Sequence, residues 1–227
     1  MEKPSLSLET RRLQLSKLQL FGGLSEPVIT ELSEVLKEFN YKRNTIIISQ
    51  GDNTRSLYIV IKGRLKVLAS DEDGNQTIFS FLGTGDVFGE LSLLDDAPRS
   101  ASVVTVEETQ VLHLSHQHFN EIILKYPEIC PLIFKALTTR IRDMDKTICD
   151  LTSLDVYGRL IQVLYKEASE NIDGTIETER LTHQDLAEMV GSSREMISRI
   201  LKELRTGGYI SVNEKRISIE RKLPKHW

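Results

Sequence analysis

The spacing of apolar residues changes twice along the chain and predicts a helical start, a β-rich centre and a helical end. Up to about residue 40, apolar residues recur every three or four positions, the period of a helix with one buried face. The clearest of these patterns begins after Ser25, a residue type that often caps helices. Its apolar positions are Val28, Ile29, Leu32, Val35, Leu36 and Phe39.

Between residues 45 and 114 the pattern changes to short apolar runs separated by glycine. Strands are predicted over 45–49, 56–61, 65–69 and 76–81, and the strand pattern returns over 102–114. Short strands at regular spacing, joined by glycine-containing turns, are typical of a jelly roll or a related sandwich. The central stretch is therefore predicted to form a β-roll.

A long helix is predicted over 126–151, and its apolar residues form a narrow stripe. Charged residues such as Arg140, Arg142 and Lys146 occupy much of the remaining surface. A stripe with alternating spacings of four and three residues is the seam of paired helices. The helix could instead pack on its own domain, but the narrow stripe favours pairing with a second copy. The stripe consists of Leu137, Ile141, Met144, Ile148 and Leu151.

The C-terminal part begins with a further helix, predicted over 156–168 with Asp155 as its N-cap. A polar connector is predicted over 169–179. Two short strands over 209–212 and 216–219 are predicted to pair as a hairpin.

Between the connector and the hairpin, two short helices with a tight turn are predicted. Thr182 is expected to cap the first helix, with Asp185 as the acidic partner of a capping box. Gly191 allows the positive φ that reverses the chain, and Ser193 can cap the second helix. This spacing predicts a helix-turn-helix, and the hairpin after it would be its wing.

Composition excludes several classes of protein. The 227 residues are 40% hydrophobic and 27% charged, which suits one large or two ordinary globular domains. No apolar run approaches the roughly 18–20 residues of a membrane span, and the N-terminal residues lack the apolar core of a signal peptide. Only two cysteines, Cys130 and Cys149, are present. We therefore expect a cytoplasmic protein with reduced thiols and no membrane partner.

Charge is distributed unevenly. The whole chain carries a net charge of −4, but residues 194–227 contain nine Lys or Arg against four Asp or Glu. A locally basic surface on an acidic protein indicates a DNA site better than the overall charge does. The five histidines show no ligand spacing with an acid, and no nucleophile is paired with a base. No metal site and no enzymatic activity are predicted.

One loop of the β-rich centre, GELSLLDDAPRSAS, combines an acid and an arginine with small residues. It spans residues 89–102, with Glu90 directly after a glycine. Arg99 follows nine residues later, directly after a proline, and three small residues come next. Arginine can hold an anionic group through two parallel hydrogen bonds, and small residues let backbone N–H groups approach it. The loop therefore predicts a site for a small anion.

The second short helix of the C-terminal part has a polar face that is suited to reading bases. Arginine can donate two hydrogen bonds to the major-groove edge of guanine, and glutamate can accept one from the cytosine amino group. An ordinary salt-bridged surface is the alternative, but the complete helix-turn-helix spacing favours a DNA-reading helix. The face consists of Ser192, Arg194, Glu195, Ser198, Arg199 and Lys202.

With both motifs in view, the chain resembles the cyclic-AMP receptor protein/FNR family of bacterial transcription regulators, from about Leu18 to Ile219. SSREMISRILKEL resembles the recognition helix of that family, and FGELSLLDDAPRSASV resembles its phosphate-binding cassette. The resemblance implies an α+β fold in three parts. A cyclic-nucleotide-binding β-roll would cover 1–125, a long dimerisation helix and hinge 126–153, and a winged helix-turn-helix DNA-binding domain 154–227.

The resemblance also implies a ligand site. Glu90 would accept a hydrogen bond from the ribose 2′-hydroxyl, and Arg99 would pair with the cyclic phosphate. Ser100 would add a hydroxyl, and backbone N–H groups would come from Ala101 and from the stretch Gly89, Glu90 and Leu91.

The base of the nucleotide is less well specified by the resemblance. Where the family has a Thr-Ser pair on the long helix, this chain has Met144 and Asp145. Asp145 could accept from the adenine amino group or from guanine N1 and N2, so cyclic AMP is the first choice and cyclic GMP the second. A regulator of the same fold that responds to another effector, such as cyclic di-GMP, or that is constitutively active, is the alternative.

For DNA, the resemblance implies a homodimer that reads a TGTGA-like palindrome in double-stranded DNA and contacts RNA polymerase. A cyclic-nucleotide module that serves an enzyme or a channel is a further alternative, but the sequence shows neither a catalytic nor a membrane segment. The expected DNA-binding residues are Ser193, Arg194, Glu195, Ser198, Arg199 and Lys202.

Overall fold

The computed structural model describes residues 7–17, 23–172 and 174–224. Leu18, where the family resemblance was predicted to begin, lies outside these ranges. The chain divides into two compact units, Met1–Arg140 and Ile141–Trp227. Within the described ranges, no helix has the combined length and apolarity that crossing a membrane requires.

The first unit begins with two helices, α1 (Leu8–Lys17) and α2 (Glu26–Val35). Arg11 of α1 donates to the carbonyl oxygens of Ser33 and Leu36, which lie at the C-terminal end of α2. Ser25 is the N-cap of α2, as predicted. The prediction that the helical pattern continues to Phe39, however, was wrong, because α2 ends at Val35.

Residues after Val35 form a strand instead of the last helical turn. Leu36 is extended, with φ −70° and ψ 130°, and β1 follows over Lys37–Tyr41. In this strand Phe39 pairs with Val111 of a later strand and its ring lies edge-on to His113, with centroids 5.6 Å apart. The long-range backbone pairing outweighs the local helical period, which is a weak preference of each residue.

Eight strands of the first unit form two antiparallel four-stranded sheets, in the orders β1-β8-β3-β6 and β2-β7-β4-β5. The pattern predicted over 102–114 forms two strands, separated by a turn. The strands after β1 are β2 (Ile46–Ile48), β3 (Ser56–Lys62), β4 (Leu65–Ser70), β5 (Gln76–Leu82), β6 (Val87–Phe88), β7 (Ser102–Thr105) and β8 (Thr109–Ser115).

Two hydrophobic cores hold the β-roll together because side chains alternate between the faces of its strands. Ile59 of β3 belongs to the core that contains α2, whereas its neighbour Val60 belongs to the core between the two sheets. Both side chains are almost completely buried, at 1% and 0% exposure. A strand with both faces covered reads as a continuous apolar run, as 56–61 does.

Three helical segments follow the roll or interrupt it. The short helix α3 (Leu91–Leu94) lies within the loop 89–102, α4 (His116–Lys125) follows β8, and the long helix α5 covers Cys130–Ser153. A 3₁₀ turn over Pro127–Ile129 occupies the start of the predicted helix 126–151. No residue of α5 is buried within the single chain.

The second unit contains α6 (Val156–Glu167), α7 (His183–Val190) and α8 (Arg194–Thr206). The predicted caps are confirmed. Asp155 Oδ1 accepts from the Gly158 N–H at 2.8 Å, and Thr182 and Asp185 form a capping box. Gly191 has φ 64°, and Ser193 Oγ accepts from the Met196 N–H at 3.2 Å.

A four-stranded sheet completes this unit, in the order β11-β12-β10-β9. The prediction that 169–179 is only a polar connector was wrong. Ile176 pairs with Glu170 on one side and with Ile219 on the other, so the connector supplies two strands to the wing. Its polar composition hid them because few of their side chains face a core. The strands are β9 (Ala168–Glu170), β10 (Ile176–Thr178), β11 (Ile210–Asn213) and β12 (Arg216–Ile219).

Candidate ligand-binding and DNA-binding sites

The loop between β6 and β7 is shaped by a glycine in the left-handed region. Gly89 has φ 81°, and a Cβ at this position would lie 2.6 Å from the Ser56 carbonyl oxygen and 2.8 Å from Arg99 Nη1. Neither approach leaves room for a methyl group, so the loop requires glycine here. The tight turn starts α3 directly after Glu90.

Arg99 is the centre of the loop and is only 4% exposed. Its Nη1 donates to the Gly89 carbonyl oxygen at 2.6 Å, and its Nε to Thr54 Oγ1 at 3.3 Å. Nη2 donates to both the carbonyl oxygen and the Oγ of Ser56, at 2.9 and 3.1 Å. These bonds orient the guanidinium, which has five N–H groups, from three sides.

The acceptors of these four bonds are all uncharged oxygens, so they do not cancel the charge of Arg99. Burial lowers the pKa of Arg99, whereas the nearby Tyr58, Glu90 and Asp52 oppose this shift. Arginine keeps its proton in proteins in spite of such shifts. A positive charge is thus buried at a position that the loop has prepared for it, and an anion would be attracted there.

Glu90 does not face open solvent. Its Oε1 lies 2.6 Å from Nη1 of Arg140 on α5, and the two side chains are 14% and 42% exposed. From the sequence, Arg140 was only a charged surface residue of the long helix. A contact between positions 50 residues apart leaves no local pattern in the sequence, so the pairing could not be found there.

The other predicted ligand residues have different environments. Ser100 is exposed, Leu91 is half-buried and Ala101 is buried. At the tip of the loop, Arg55 Nη1 lies 2.6 Å from Asp96 Oδ1. Met144 and Asp145 belong to the second unit, and both are exposed.

An aromatic row that the sequence did not reveal lies beside Arg99. The rings of Tyr58 and Phe88 stack with centroids 5.0 Å apart, and His113 meets Tyr58 edge-on at the same distance. The pKa of His113 is lowered by burial and by the positive charges of Lys37 and Arg99.

In the second unit, α8 presents a polar surface. Arg194, Glu195, Arg199 and Lys202 are exposed, and Ser198 is half-buried. The opposite side of the helix is buried among apolar residues. It consists of Ile197, Ile200, Leu201 and Leu204.

The position of α8 is fixed through α7 and the wing. Arg159 of α6 donates to the Val190 carbonyl oxygen at the end of α7, at 2.8 Å. Glu214 and Lys215 form the two-residue turn between β11 and β12, with φ values of 46° and 71°. Two successive left-handed residues are what a two-residue hairpin turn requires. Arg180 pairs with Glu214 at this turn.

Among the residues that the structure describes, no group of three His, Cys, Asp or Glu side chains is arranged to hold a metal ion.

A β-roll with a buried arginine in a small-residue loop, followed by a long helix and a winged helix-turn-helix, defines a ligand-responsive transcription regulator as a class. Comparison with known proteins agrees. The family described as cyclic nucleotide-binding domain matches residues 38–126, and the family described as Crp-like helix-turn-helix domain matches residues 158–222.

Two curated relatives cover most of the chain. It is 33% identical over 185 residues to the cAMP-activated global transcriptional regulator CRP of Pasteurella multocida, which covers 79% of this chain and 88% of the relative. It is 28% identical over 209 residues to the CRP-like cAMP-activated global transcriptional regulator of Mycobacterium tuberculosis, with coverages of 90% and 93%. The chain therefore belongs to the cyclic-AMP receptor protein/FNR family of bacterial transcription regulators.

A solved structure shows the same fold. The c-di-GMP responsive global regulator CLP of Xanthomonas campestris aligns with a TM-score of 0.76 at 23% identity, covering 87% of this chain and 100% of that one. The α+β fold with a cyclic-nucleotide-binding domain, a long helix and a Crp-type helix-turn-helix is thus confirmed.

Proposed function

We propose that this chain forms a homodimer that binds DNA under the control of a cyclic nucleotide, with cyclic AMP as the first choice. The observation that supports this most strongly is the buried Arg99, whose charge is not cancelled by its four uncharged acceptors. The cyclic phosphate would supply that negative charge. The relatives from Pasteurella and Mycobacterium are named as cAMP-activated, which favours cyclic AMP among anions of this size.

In this proposal the loop contacts the sugar and phosphate of the nucleotide. Arg99 and the Ser100 hydroxyl bind the cyclic phosphate, together with backbone N–H groups of Gly89, Leu91 and Ala101. Glu90 accepts from the ribose 2′-hydroxyl. Because Arg140 already holds Glu90 at 2.6 Å, the sugar would bind a carboxylate that is tied to α5.

The long helix would form the dimer. Ile141, Met144, Ile148 and Leu151 are all at least half exposed, at 58%, 56%, 57% and 50%. Phe134, one heptad before Ile141, extends the stripe and is 63% exposed. An apolar seam of this kind is stable in water only when a second helix covers it.

The same helix offers a route for regulation. Arg140 contacts Glu90 of the loop 89–102, and exposed apolar residues of α5 lie on both sides of Arg140 along the helix. A nucleotide that changes the hold of Glu90 on Arg140 would favour one arrangement of the helix pair over another. It can shift that equilibrium only by its difference in affinity for the two arrangements. The region around 153–156 would be the hinge that passes the change to the DNA-binding domain.

For DNA recognition, Arg194, Glu195 and Arg199 would contact base edges of a TGTGA-like half-site from the exposed side of α8. Ser198 would lie among them. Ser193 and Lys202 would bind phosphates at the two ends of this surface. The palindrome follows from a dimer that presents two copies of α8 to successive major grooves.

The identity of the base is carried by Met144 and Asp145 in this proposal, with cyclic GMP as the second choice. The likeness to a c-di-GMP responsive regulator keeps that effector as an alternative, and a constitutively active regulator is a further one. We also propose contact with RNA polymerase, a cytoplasmic location and the absence of enzymatic activity, in line with relatives that are named as transcription regulators.

The ligand site is tested by isothermal titration of the full chain with cyclic AMP, cyclic GMP and cyclic di-GMP. Wild type is expected to bind cyclic AMP. Glu90→Ala is expected to lose about tenfold to a hundredfold in affinity, because it removes a hydrogen bond to a charged group. Glu72→Ala, on the exposed turn between β4 and β5, is the matched control and should bind as wild type does. Absence of heat with all three nucleotides would contradict the proposal.

The consequence for DNA is measured by gel retardation on a TGTGA palindrome, with a random duplex of equal length as control. Cyclic AMP is expected to increase retardation of the palindrome for wild type and much less for Glu90→Ala. Equal retardation with and without each nucleotide would instead support the constitutively active alternative.

A further inference from the structure

A histidine at the start of α7 contacts the DNA-reading side of α8. Nδ1 of His183 lies 2.7 Å from Oγ of Ser198, and both side chains are half-buried. The two residues are 15 positions apart and lie on the two helices of the helix-turn-helix. Ser198 is thus the one residue of the predicted reading surface for which the structure shows a partner that can either donate or accept a hydrogen bond.

Three charged residues of α7 and α6 bond to groups other than His183. Asp185, on the same helix, accepts from both the N–H and the hydroxyl of Thr182. Glu188, one turn further along α7, accepts from Gln184. On α6, which also packs against α7, Arg159 donates to Val190 at the opposite end of α7.

The charged residue that affects the pKa of His183 is an arginine. Burial lowers the pKa of His183 below its ordinary value of 6.5, and the Arg194 guanidinium on α8 lowers it further. The other charged residues on this side of α8, Glu195, Arg199 and Lys202, are exposed. The neutral form of the imidazole is therefore favoured more than in a free histidine, and the ring takes up its proton at a lower pH.

We infer that His183 is a positioning residue for base reading, which fixes the direction of the Ser198 hydroxyl and so decides whether Ser198 accepts from a base or donates to it. This inference rests on the proposed role of α8 in reading DNA. No nucleotide contact is assigned to His183 itself.

The chemistry follows from the capacity of each group. A serine hydroxyl has one donor and two lone pairs, and a free one rotates to suit either kind of base. In the neutral ring we place the proton on Nε2, an assignment that forms part of the inference. Nδ1 then accepts the Ser198 proton, and the hydroxyl offers only lone pairs to the DNA. It favours the amino groups of adenine or cytosine.

Protonation of the ring reverses this preference. Both ring nitrogens of a histidinium are donors, so Nδ1–H must donate to Ser198 Oγ. The hydroxyl of Ser198 keeps its hydrogen, which no longer bonds to the ring and can be donated to thymine O4 or guanine O6. The same two residues would read different bases at neutral and at acidic pH, with no change in the fold.

The test uses a series of palindromic duplexes and the full chain with an excess of whichever of cyclic AMP, cyclic GMP and cyclic di-GMP it binds in the titration above. In each duplex one base pair of the TGTGA half-site is replaced in turn by the other three. Binding is measured by fluorescence anisotropy at about pH 8 and at a series of lower values down to about pH 5, because the pKa of His183 lies below the ordinary histidine value. The variants are His183→Ala, Ser198→Ala, the double variant and His183→Asn, whose amide oxygen can stand near the position of Nδ1.

At pH 8, wild type is expected to prefer an amino-bearing base at one position of the half-site by about threefold to tenfold, the worth of one hydrogen bond. This preference should shrink or reverse as the pH is lowered through the pKa of His183. His183→Ala and Ser198→Ala should each abolish it, and the double variant should lose no more than either one. His183→Asn should show the same preference at every pH, because its amide does not titrate.

A control separates this effect from general acid sensitivity. His116 on α4 also contacts a polar side chain, with Nε2 3.1 Å from Asn120 Nδ2. It lies in the first unit, and His116→Ala should leave the preference and its pH dependence unchanged. NMR of the His183 ring in the free protein gives an independent readout, since Ser198→Ala should change its tautomer and its pKa.

Two outcomes would overturn the inference while the proposed function stands. In the first, wild type discriminates among the duplexes, but His183→Ala lowers the affinity for all of them by the same factor and leaves the preference intact. In the second, the effects of His183→Ala and Ser198→Ala are additive or fall at different positions. If wild type binds none of the duplexes better than random DNA, the proposed reading role fails, and the inference fails with it.

Discussion

At the scale of single residues, the loop 89–102 depends on two positions that support each other. Arg99 donates to the Gly89 carbonyl, and the bare Cα of Gly89 leaves space for Arg99 Nη1. Removing the guanidinium would leave the carbonyls of Gly89 and Ser56 without this donor in a buried place, which destabilises the fold as well as the site. Glu90 bonds to Arg140, whose side chain is 42% exposed, so its replacement leaves no buried carbonyl without a donor and disturbs the fold less.

The role of Gly89 can be separated from the strain of a positive φ by comparison with Gly51. Both have a similar φ, 81° and 85°, but a Cβ at Gly51 would have no atom within 4 Å. We expect each alanine variant to carry the cost of the left-handed conformation, about 1–3 kcal/mol, in a chemical unfolding experiment. Gly89→Ala should lower the free energy of unfolding by more than Gly51→Ala does, and it should also lose nucleotide binding. Equal losses in both variants would show that the close approach to Ser56 and Arg99 is unimportant.

Residue types in the loop could be recognised from the sequence, but their partners could not. Glu90 and Arg99 are unusual in a β-rich stretch and were therefore noticed. Arg140 and His183 were not assigned to any site, because each contacts one residue that is distant in sequence, Glu90 and Ser198. Such pairs are decided by the packing of whole elements, which no local period reports.

At the scale of elements, α5 differs from all other helices of the structure because none of its residues is buried in the single chain. The apolar period of this helix was clear in the sequence, and the exposure of its stripe agrees with the proposed pairing with a second copy. By contrast, the equally regular pattern ending at Phe39 led to a wrong helix. A short pattern next to a sheet edge can be overruled by pairing, whereas a pattern of 24 residues cannot.

Replacing one stripe residue by an acid tests the role of α5. Ile148→Asp should bring two negative charges together in an apolar seam, so the dimer should dissociate. Light scattering or sedimentation is expected to report a mass near 25.9 kDa instead of about twice that value. Lys146→Asp, on the opposite side of α5, is the control and should remain dimeric. A wild-type chain that is monomeric at high concentration would remove the basis of the prediction.

At the scale of the whole molecule, the groups with a lowered pKa that titrate in acid all act on stability in one direction. His113 and His183 both have a lowered pKa in the folded chain, and so do the carboxyls of Glu31, which bonds to Lys125 and Tyr126, and of Asp71, which bonds to Asn75. In acid, the unfolded chain binds more protons than the folded chain at each of these groups. The free energy of unfolding must therefore fall as the pH falls.

We expect thermal unfolding to show a plateau from about pH 7 to about pH 9 and a decline below about pH 6.5, where unfolded histidine takes up its proton. The decline should continue through about pH 4 as the carboxyls titrate. The raised pKa values of Tyr41 and Tyr157, caused by burial, predict a second decline above about pH 10. His113→Gln should reduce the decline of the melting temperature near pH 6. A melting temperature that rises on acidification from pH 7 to pH 5 would contradict this account.

The sequence by itself determined the α+β class, the long helix and both functional motifs, because each is written in residues close together in the chain. Apolar period, capping residues and glycine spacing act over a few positions, and they mark the helix-turn-helix, the wing turn and the loop 89–102 in the sequence. Tertiary structure alone decided that residues 37–41 are a strand, that the polar connector adds two strands to the wing, and that Arg140 holds Glu90 and His183 holds Ser198. These features depend on hydrogen bonds between distant segments, whose energy exists only after the chain has folded.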